Sequence, residues 1–264
     1  MRISTKLFYI DLSLNDIAFR LLQKTIAIFY RFADFFRLLP VRIYRLMLLI
    51  WKGILYARPH SVKWWKSELL NRPAQRAIYR LSEFMVCFLE IFGVVEIYET
   101  INDFVKFNTR PLTNWETNLA KEIFGNSINY KRVRIDEYAF VGPRQHRFCY
   151  VSFNSINSWG PMQNSTFIHE MVHVWQYENL GAIYIPKALS AQFTPEGYNY
   201  GGVATLKQYM HEGKGFLDFN YEQQGDIVSD YYRIKNGYEP CWGSGGRIDL
   251  PVYEYFIERL TVNG

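Results

Sequence analysis

Read for the spacing of apolar and polar positions, the chain divides into a long helical first part and a mixed second part. Residues 17–39 and 41–56 carry Leu, Ile, Phe, Tyr, Met and Trp around most of the helical circumference. Pro40 falls between them, so the pattern predicts two helices broken at that residue. Arg20, Lys24 and Arg31 share one narrow stripe of the first, and Arg42, Arg45 and Lys52 share one of the second. Residues 82–106 predict another apolar helix, interrupted at Gly93, whose Glu83, Glu90, Glu96 and Glu99 are placed to face the basic pair. Asn108-Thr109-Arg110-Pro111 reads as a boundary, and Thr113 with Glu116 forms a capping box that opens a helix closing at Gly125.

Alternation then replaces helical spacing. Residues 129–136 and 147–154 read as strands and Gly142-Pro143 as the turn between them, which predicts an antiparallel hairpin. A helix follows over 164–180, with Asn164 or Ser165 as N-cap and Gly181 as its stop. Residues 195–202 read as loop and 204–211 as a short helix. Asn220, with Gln223 in the capping-box position, opens another helix that ends before Gly237, and a last amphipathic helix covers 250–260 from near Pro251. The expected class is α+β, mainly α, with a helical region over 1–108 and a second domain over 109–264 that holds a small antiparallel sheet.

Composition supports a folded protein, since 49% of the 264 residues are hydrophobic and 18% aromatic. Cys87, Cys149 and Cys241 are far apart, odd in number and without a C-x-x-C pair, which excludes a disulfide framework and fits a reducing compartment. Charge alters the picture more. Residues 1–80 hold 15 Lys/Arg against 4 Asp/Glu, and the remainder 15 against 21. A basic helical part is thus joined to a mildly acidic one. No window there reaches the run of uncharged apolar residues, on the order of 18–20, that a membrane span needs, and no cleavable signal peptide is recognised. Two readings of residues 17–56 stay open: a helical hairpin packed on the rest of the chain or on a second copy, or a pair lying on an anionic membrane surface. Trp64, Trp65 and the neighbouring lysines match no nucleic-acid motif, so no specific nucleic acid is expected. The compartment is expected to be cytoplasmic or peripheral to a membrane.

The chemistry concentrates in His169-Glu170-Met171-Val172-His173. Two histidines four residues apart in a helix lie one turn above each other, so both imidazoles can share one tetrahedral Zn²⁺. Glu170 can then act as general base on a metal-bound water without ligating the ion. A third ligand is required, and Glu222-x-x-x-Asp226 offers two carboxylates on one helical face. Glu222 is the expected third ligand, and Asp226 the acceptor for the spare N–H of a ligating histidine. Gly225 stands where a helix-favouring residue such as alanine is expected, at a cost of about 1 kcal/mol. Tyr198, Tyr200 and His211 are candidates for donating to the oxyanion of a tetrahedral intermediate.

H-E-x-x-H followed by E-x-x-x-D resembles the gluzincin group of zinc metallopeptidases. That resemblance implies a zincin-like domain with His169, His173 and Glu222 as ligands and Glu170 as general base. More narrowly, F-I-H-E-M-V-H-V-W-Q followed by E-Q-Q-G-D-I-V-S-D-Y is similar to a bacterial family of short metallopeptidase-like proteins, some of them Rhs- or Vgr-related. The resemblance covers roughly 112–236, leaves the first hundred residues unexplained, and implies a link to secretion systems. It also implies that residues 150–157 form an edge strand on which an extended peptide substrate is read. A zinc peptidase acting on a peptide or protein is therefore the expected function. The alternative is an inactive zinc-stabilised binding protein, or one held to a membrane by its basic helices.

Overall fold

The computed structural model describes residues 14–56, 73–106, 109–140, 142–146 and 148–261. Side chains at 14–20, 23, 52–56 and 73–77 fall outside the description, so Arg20 and Lys52 are not placed. The protein is mainly helical, with one small sheet, as the apolar spacing implies.

The first layer is built from α1 (Leu14–Tyr56), α2 (Pro73–Ile91) and α3 (Val94–Val105). Contrary to the expected break, α1 runs through Pro40 as a single helix of 43 residues. Proline fixes φ at a helical value, and what it removes is one N–H and easy contact with the preceding turn. Tertiary bonds on both sides of that residue reach the same helix, α3. Arg31, before it, meets Glu99 and Asp103 of α3, while Arg42, after it, bonds Glu96 of α3 at 2.6 Å. Between α2 and α3, Phe92 and Gly93 form the expected interruption, with Gly93 at φ 69°.

This layer buries Leu46, Cys87 and Val95 beside its charged groups but turns most of its large apolar side chains outward. On α1, Arg31, Asp34, Arg42 and Arg45 share the face turned to the protein, whereas Leu22, Phe29, Phe36, Tyr44, Met47 and Trp51 recur on the opposite face and are exposed. Arg42 is 2% exposed and Phe29 71%. The same inversion recurs on α2, where Glu83 and Glu90 are buried while Ile78, Leu81, Met85 and Phe88 face out. On α3, Val94, Ile97, Ile101 and Val105 are exposed at helical spacing. Glu96 and Glu99 of that helix meet Arg42 and Arg31 instead.

After β1 (Thr109–Pro111), α4 (Asn114–Phe124) opens on the expected capping box, in which Glu116 N–H donates to the Thr113 hydroxyl at 3.2 Å and Glu116 accepts from Thr113 N–H at 2.7 Å. The sheet comprises β1, β2 (Arg134–Asp136), β3 (Tyr150–Ser152) and β4 (Ser155–Asn157) in the order β1-β2-β4-β3. It is mixed rather than antiparallel. β2 pairs in parallel with β4, and β4 forms an antiparallel hairpin with β3. Among the described residues, 129–136 and 147–154 do not form the expected antiparallel hairpin, and Pro143–His146 is a short helix, α5. Phe153 makes the turn instead, at φ 58°, a region that a bulky residue rarely enters. Tertiary contacts hold it there: its ring lies 5.4 Å from that of Tyr98 and 5.2 Å from that of Tyr177, and its N–H donates to the Tyr184 hydroxyl at 3.1 Å.

The remaining helices are α6 (Asn164–Leu180), α7 (Tyr184–Gln192), α8 (Gly202–His211), α9 (Tyr221–Lys235) and α10 (Leu250–Ile257). Ile168, Met171 and Val172 of α6 and Ile227 and Val228 of α9 are fully buried, and the two helices pack on each other. The layer α1–α3 grips the end of α6. Arg45 donates to the Asn179 carbonyl at 2.9 Å, filling one of the acceptors a helix C-terminus leaves open. Glu90 accepts from Ala182 N–H at 2.7 Å. Gly181 permits this approach, because a Cβ there would lie 2.2 Å from the Arg45 guanidinium.

Candidate metal centre

Helix α6 covers the expected 164–180, but the N-cap position falls to Gln163, which makes no side-chain cap, rather than to Asn164 or Ser165. Asn164 instead donates to the Tyr232 hydroxyl of α9 at 2.9 Å, a bond across the helix pair rather than along the chain. Helix α9 starts as expected, with the Asn220 side chain accepting from Glu222 N–H and Gln223 N–H at 3.0 and 2.8 Å. These two starting points set the register in which His169 and His173 face Glu222.

One ligand atom from each of His169, His173 and Glu222 falls within 4.8 Å of the others, and all three residues are buried. Glu222 Oε2 lies 3.3 Å from His169 Nε2 and 3.4 Å from His173 Nε2. The remaining ring nitrogens are committed elsewhere. His169 Nδ1 bonds Asp226 Oδ1 at 2.7 Å, and His173 Nδ1 bonds Gln176 Oε1 at 2.8 Å. The Gln176 amide is itself oriented, because its nitrogen donates to the Tyr221 carbonyl and to Gln224 Oε1 at 3.0 and 2.9 Å. If Nδ1–H donates in each ring, the neutral imidazoles turn their Nε2 lone pairs to the shared space. Trp242 Nε1–H donates to the other Asp226 oxygen, and Gln192 donates to Glu222 Oε1 at 2.7 Å.

Electrostatics follows from this crowding. Burial pushes the Glu222 carboxyl up, but the two imidazoles outweigh it and hold the group well below the usual carboxylate range. Burial lowers both histidines, yet hydrogen bonds and charge from Asp226 and Glu222 raise His169 well above its ordinary value, and Glu222 raises His173. Glu170 is different. Burial raises it, only partly offset by the histidines, and its Oε2 is fully buried without a hydrogen-bond partner. Two imidazole nitrogens, one carboxylate, oriented outer bonds and an orphaned carboxylate oxygen beside them form a donor set suited to a divalent cation such as zinc.

Gly225 acquires a reason that periodicity does not supply. A Cβ there would lie 2.5 Å from Cε1 and 2.7 Å from Nδ1 of His169. The helical cost of glycine is offset by the approach of the α9 backbone to the ligand ring.

The three oxyanion candidates separate. Tyr198 lies at the site, its ring 5.9 Å from that of His169. Burial and then the carboxylates of Glu222, Glu170 and Asp226 push its hydroxyl up from the ordinary value, so it remains a donor. Tyr200 is buried away from that space, its hydroxyl 2.8 Å from both Asp230 Oδ2 and the Tyr253 hydroxyl. His211 is exposed at the end of α8, which packs on α10. Gln176, Gln192, Gln224 and Trp242 belong to the site without having been marked in the sequence. Gln176 had a signal, standing three residues after His173, whereas Trp242 reaches Asp226 from a distant loop.

Beside the centre opens a pocket of about 460 Å³ lined by Phe148, Cys149, Trp159, Met162, Gln163 and Thr166, among others. Thr166 precedes Glu170 by four residues, so the pocket ends about one helical turn before that residue on α6. Burial, followed by the Glu170 charge, pushes the Cys149 thiol up to about 12, which keeps the pocket wall neutral. Strand β3, at the sheet's edge, begins one residue after Cys149 of the pocket lining.

No known family model matches this chain, and no solved structure matches it. It is similar to the Type VI secretion system spike protein VgrG2b of Pseudomonas aeruginosa, 31% identical over 140 residues. That match covers 48% of this chain and 13% of the spike protein, so the chain spans a small fraction of its relative's length.

Proposed function

We propose that this chain is a zinc-dependent peptidase. The observation that carries the reading is the convergence of His169, His173 and Glu222 from two separate helices, with ligand atoms within 4.8 Å of one another. Three protein ligands would leave a coordination position open, and zinc there would supply Lewis acidity to a water and a carbonyl. Glu170 accepts the proton of the attacking water and delivers it to the leaving amine. Its raised proton affinity and its orphaned oxygen suit both steps. Asp226 and Gln176 hold the ligand rings in the required tautomer, and Tyr198 donates to the developing oxyanion.

An extended peptide seats an apolar or aromatic side chain against Phe148, Trp159 and Met162, while the edge of β3 is already engaged at the Val151 carbonyl, which accepts from the Tyr184 hydroxyl at 2.8 Å. The likeness to VgrG2b supports a place alongside a secretion system. An inactive zinc-stabilised binding protein is less well supported, because it gives the buried Glu170 no use.

The test compares cleavage of a peptide library by the wild type and by Glu170→Gln. The substituted protein should retain metal and lose turnover by about 10²–10⁴-fold. Wild-type cuts should cluster beside large apolar residues. Equal cleavage by both proteins would remove Glu170 from the chemistry.

A further inference from the structure

We propose that the outward face of α1–α3 inserts into the interfacial region of an anionic bilayer. The proposal stands apart from the peptidase reading, since no residue of the metal centre takes part in it.

In a helix that merely packs on a water-soluble domain, the apolar stripe turns to the protein and the charged stripe to water. Here three neighbouring helices do the reverse. The guanidinium groups of Arg31 and Arg42 and the carboxylates of Glu90, Glu96 and Glu99 are consumed inside, against one another and against backbone groups. The outer medium therefore meets Phe, Tyr, Trp, Ile, Leu and Met at helical spacing. From Leu22 to Trp51 the stripe of α1 runs for 29 steps of about 1.5 Å each, or about 44 Å. With its α2 and α3 counterparts alongside, it extends well past the patches of a few hundred Å² usual on free-standing proteins.

Charge selects the occupant. Residues 1–106 hold 16 Lys/Arg against 9 Asp/Glu, a net of +7 with the inward-facing groups of both signs counted. A second copy seated on the same face would bring two such basic regions together. An anionic bilayer complements them. In the sequence, residues 52–80 hold seven Lys/Arg against one Glu, together with the pair Trp64-Trp65. Among the described residues no helix is long and apolar enough to cross a membrane, so the face lies along the surface rather than through it.

Flotation of the whole protein with phosphatidylcholine vesicles, with and without phosphatidylglycerol, tests this. Two variants accompany it, Phe29→Glu/Tyr44→Glu on α1 and Ile97→Glu/Ile101→Glu on α3, all at exposed positions and checked for native circular dichroism. The wild type should float at least about ten-fold better with the anionic vesicles, and each variant should lose most of that binding. Absence of flotation, or flotation that both variants leave unchanged, would overturn the proposal. So would a dimer in vesicle-free solution that the same substitutions dissociate, which would give the face to a second copy.

Discussion

In α6 and α9 apolar side chains turn inward, and the few polar groups among them are oriented by hydrogen bonds around one small space. In α1–α3 the ion pairs turn inward and the apolar side chains face out. The spacing differs too, since residues 167–176 of α6 are buried all round whereas α1 carries separate charged and apolar faces. The contrast shows that a periodic stripe fixes which side chains share a face, while the neighbours fix which way the face points. A pair of histidines and a carboxylate can be brought together by ordinary hydrophobic packing. The inward ion pairs of α1–α3 leave an apolar face outside, the observation on which the bilayer contact is proposed.

Substitutions at matched positions sharpen that contrast. The largest stability loss is expected from Arg42→Leu. It removes a guanidinium that is 2% exposed and bonds both Glu96 and the Glu90 carbonyl. Leaving the Glu96 carboxylate without its partner costs about 3–5 kcal/mol, measured by denaturant unfolding. Leu206→Ala, at a fully buried site of the second region, should cost about 2–5 kcal/mol by the same measurement. If Arg42→Leu were neutral and Leu206→Ala severe, the inward ion pairs would not be what holds the first layer.

Smaller effects come from the groups around the metal centre. Gly225→Ala improves helix propensity yet drives a Cβ to within 2.5 Å of His169, so it should lose about 1–3 kcal/mol of stability and weaken zinc binding. Asp226→Asn should lower zinc affinity by about 10–100-fold in a competition titration, with the fold intact.

The pH response follows from the raised histidines. Without metal, a group whose folded pKa lies above its unfolded value stabilises the protein below the unfolded value, and that contribution fades as pH rises through the folded one. Zinc must also displace those protons. The rise in Tm on adding zinc should therefore be greater at about pH 8.5 than at about pH 6. The smallest effect is expected outside: Phe29→Ser should change stability in solution by no more than about 0.5 kcal/mol.

Much of this was legible in the residues. The two capping boxes at Thr113 and Asn220, the basic stripe of α1 and the H-E-x-x-H spacing depend on neighbours within a few positions. What escaped depended on distant partners. Helix α1 crosses Pro40 because α3 is bonded on both sides of it, and the hairpin turns at Phe153 because Tyr98, Tyr177 and Tyr184 surround it. The mixed sheet joins β2 to β4 across some twenty intervening residues, a pairing that local alternation does not encode. Gly225 looked like a weak spot on helix propensity alone, and only the nearby His169 ring explains it.

The central claim is that two imidazoles and one remote carboxylate act together on one ion. Zinc titration of the purified protein, followed by calorimetry beside Glu222→Ala, tests it most directly. The account predicts one tight site per chain in the wild type and its loss in the variant. An unchanged site in Glu222→Ala, or no zinc uptake by the wild type, would contradict it.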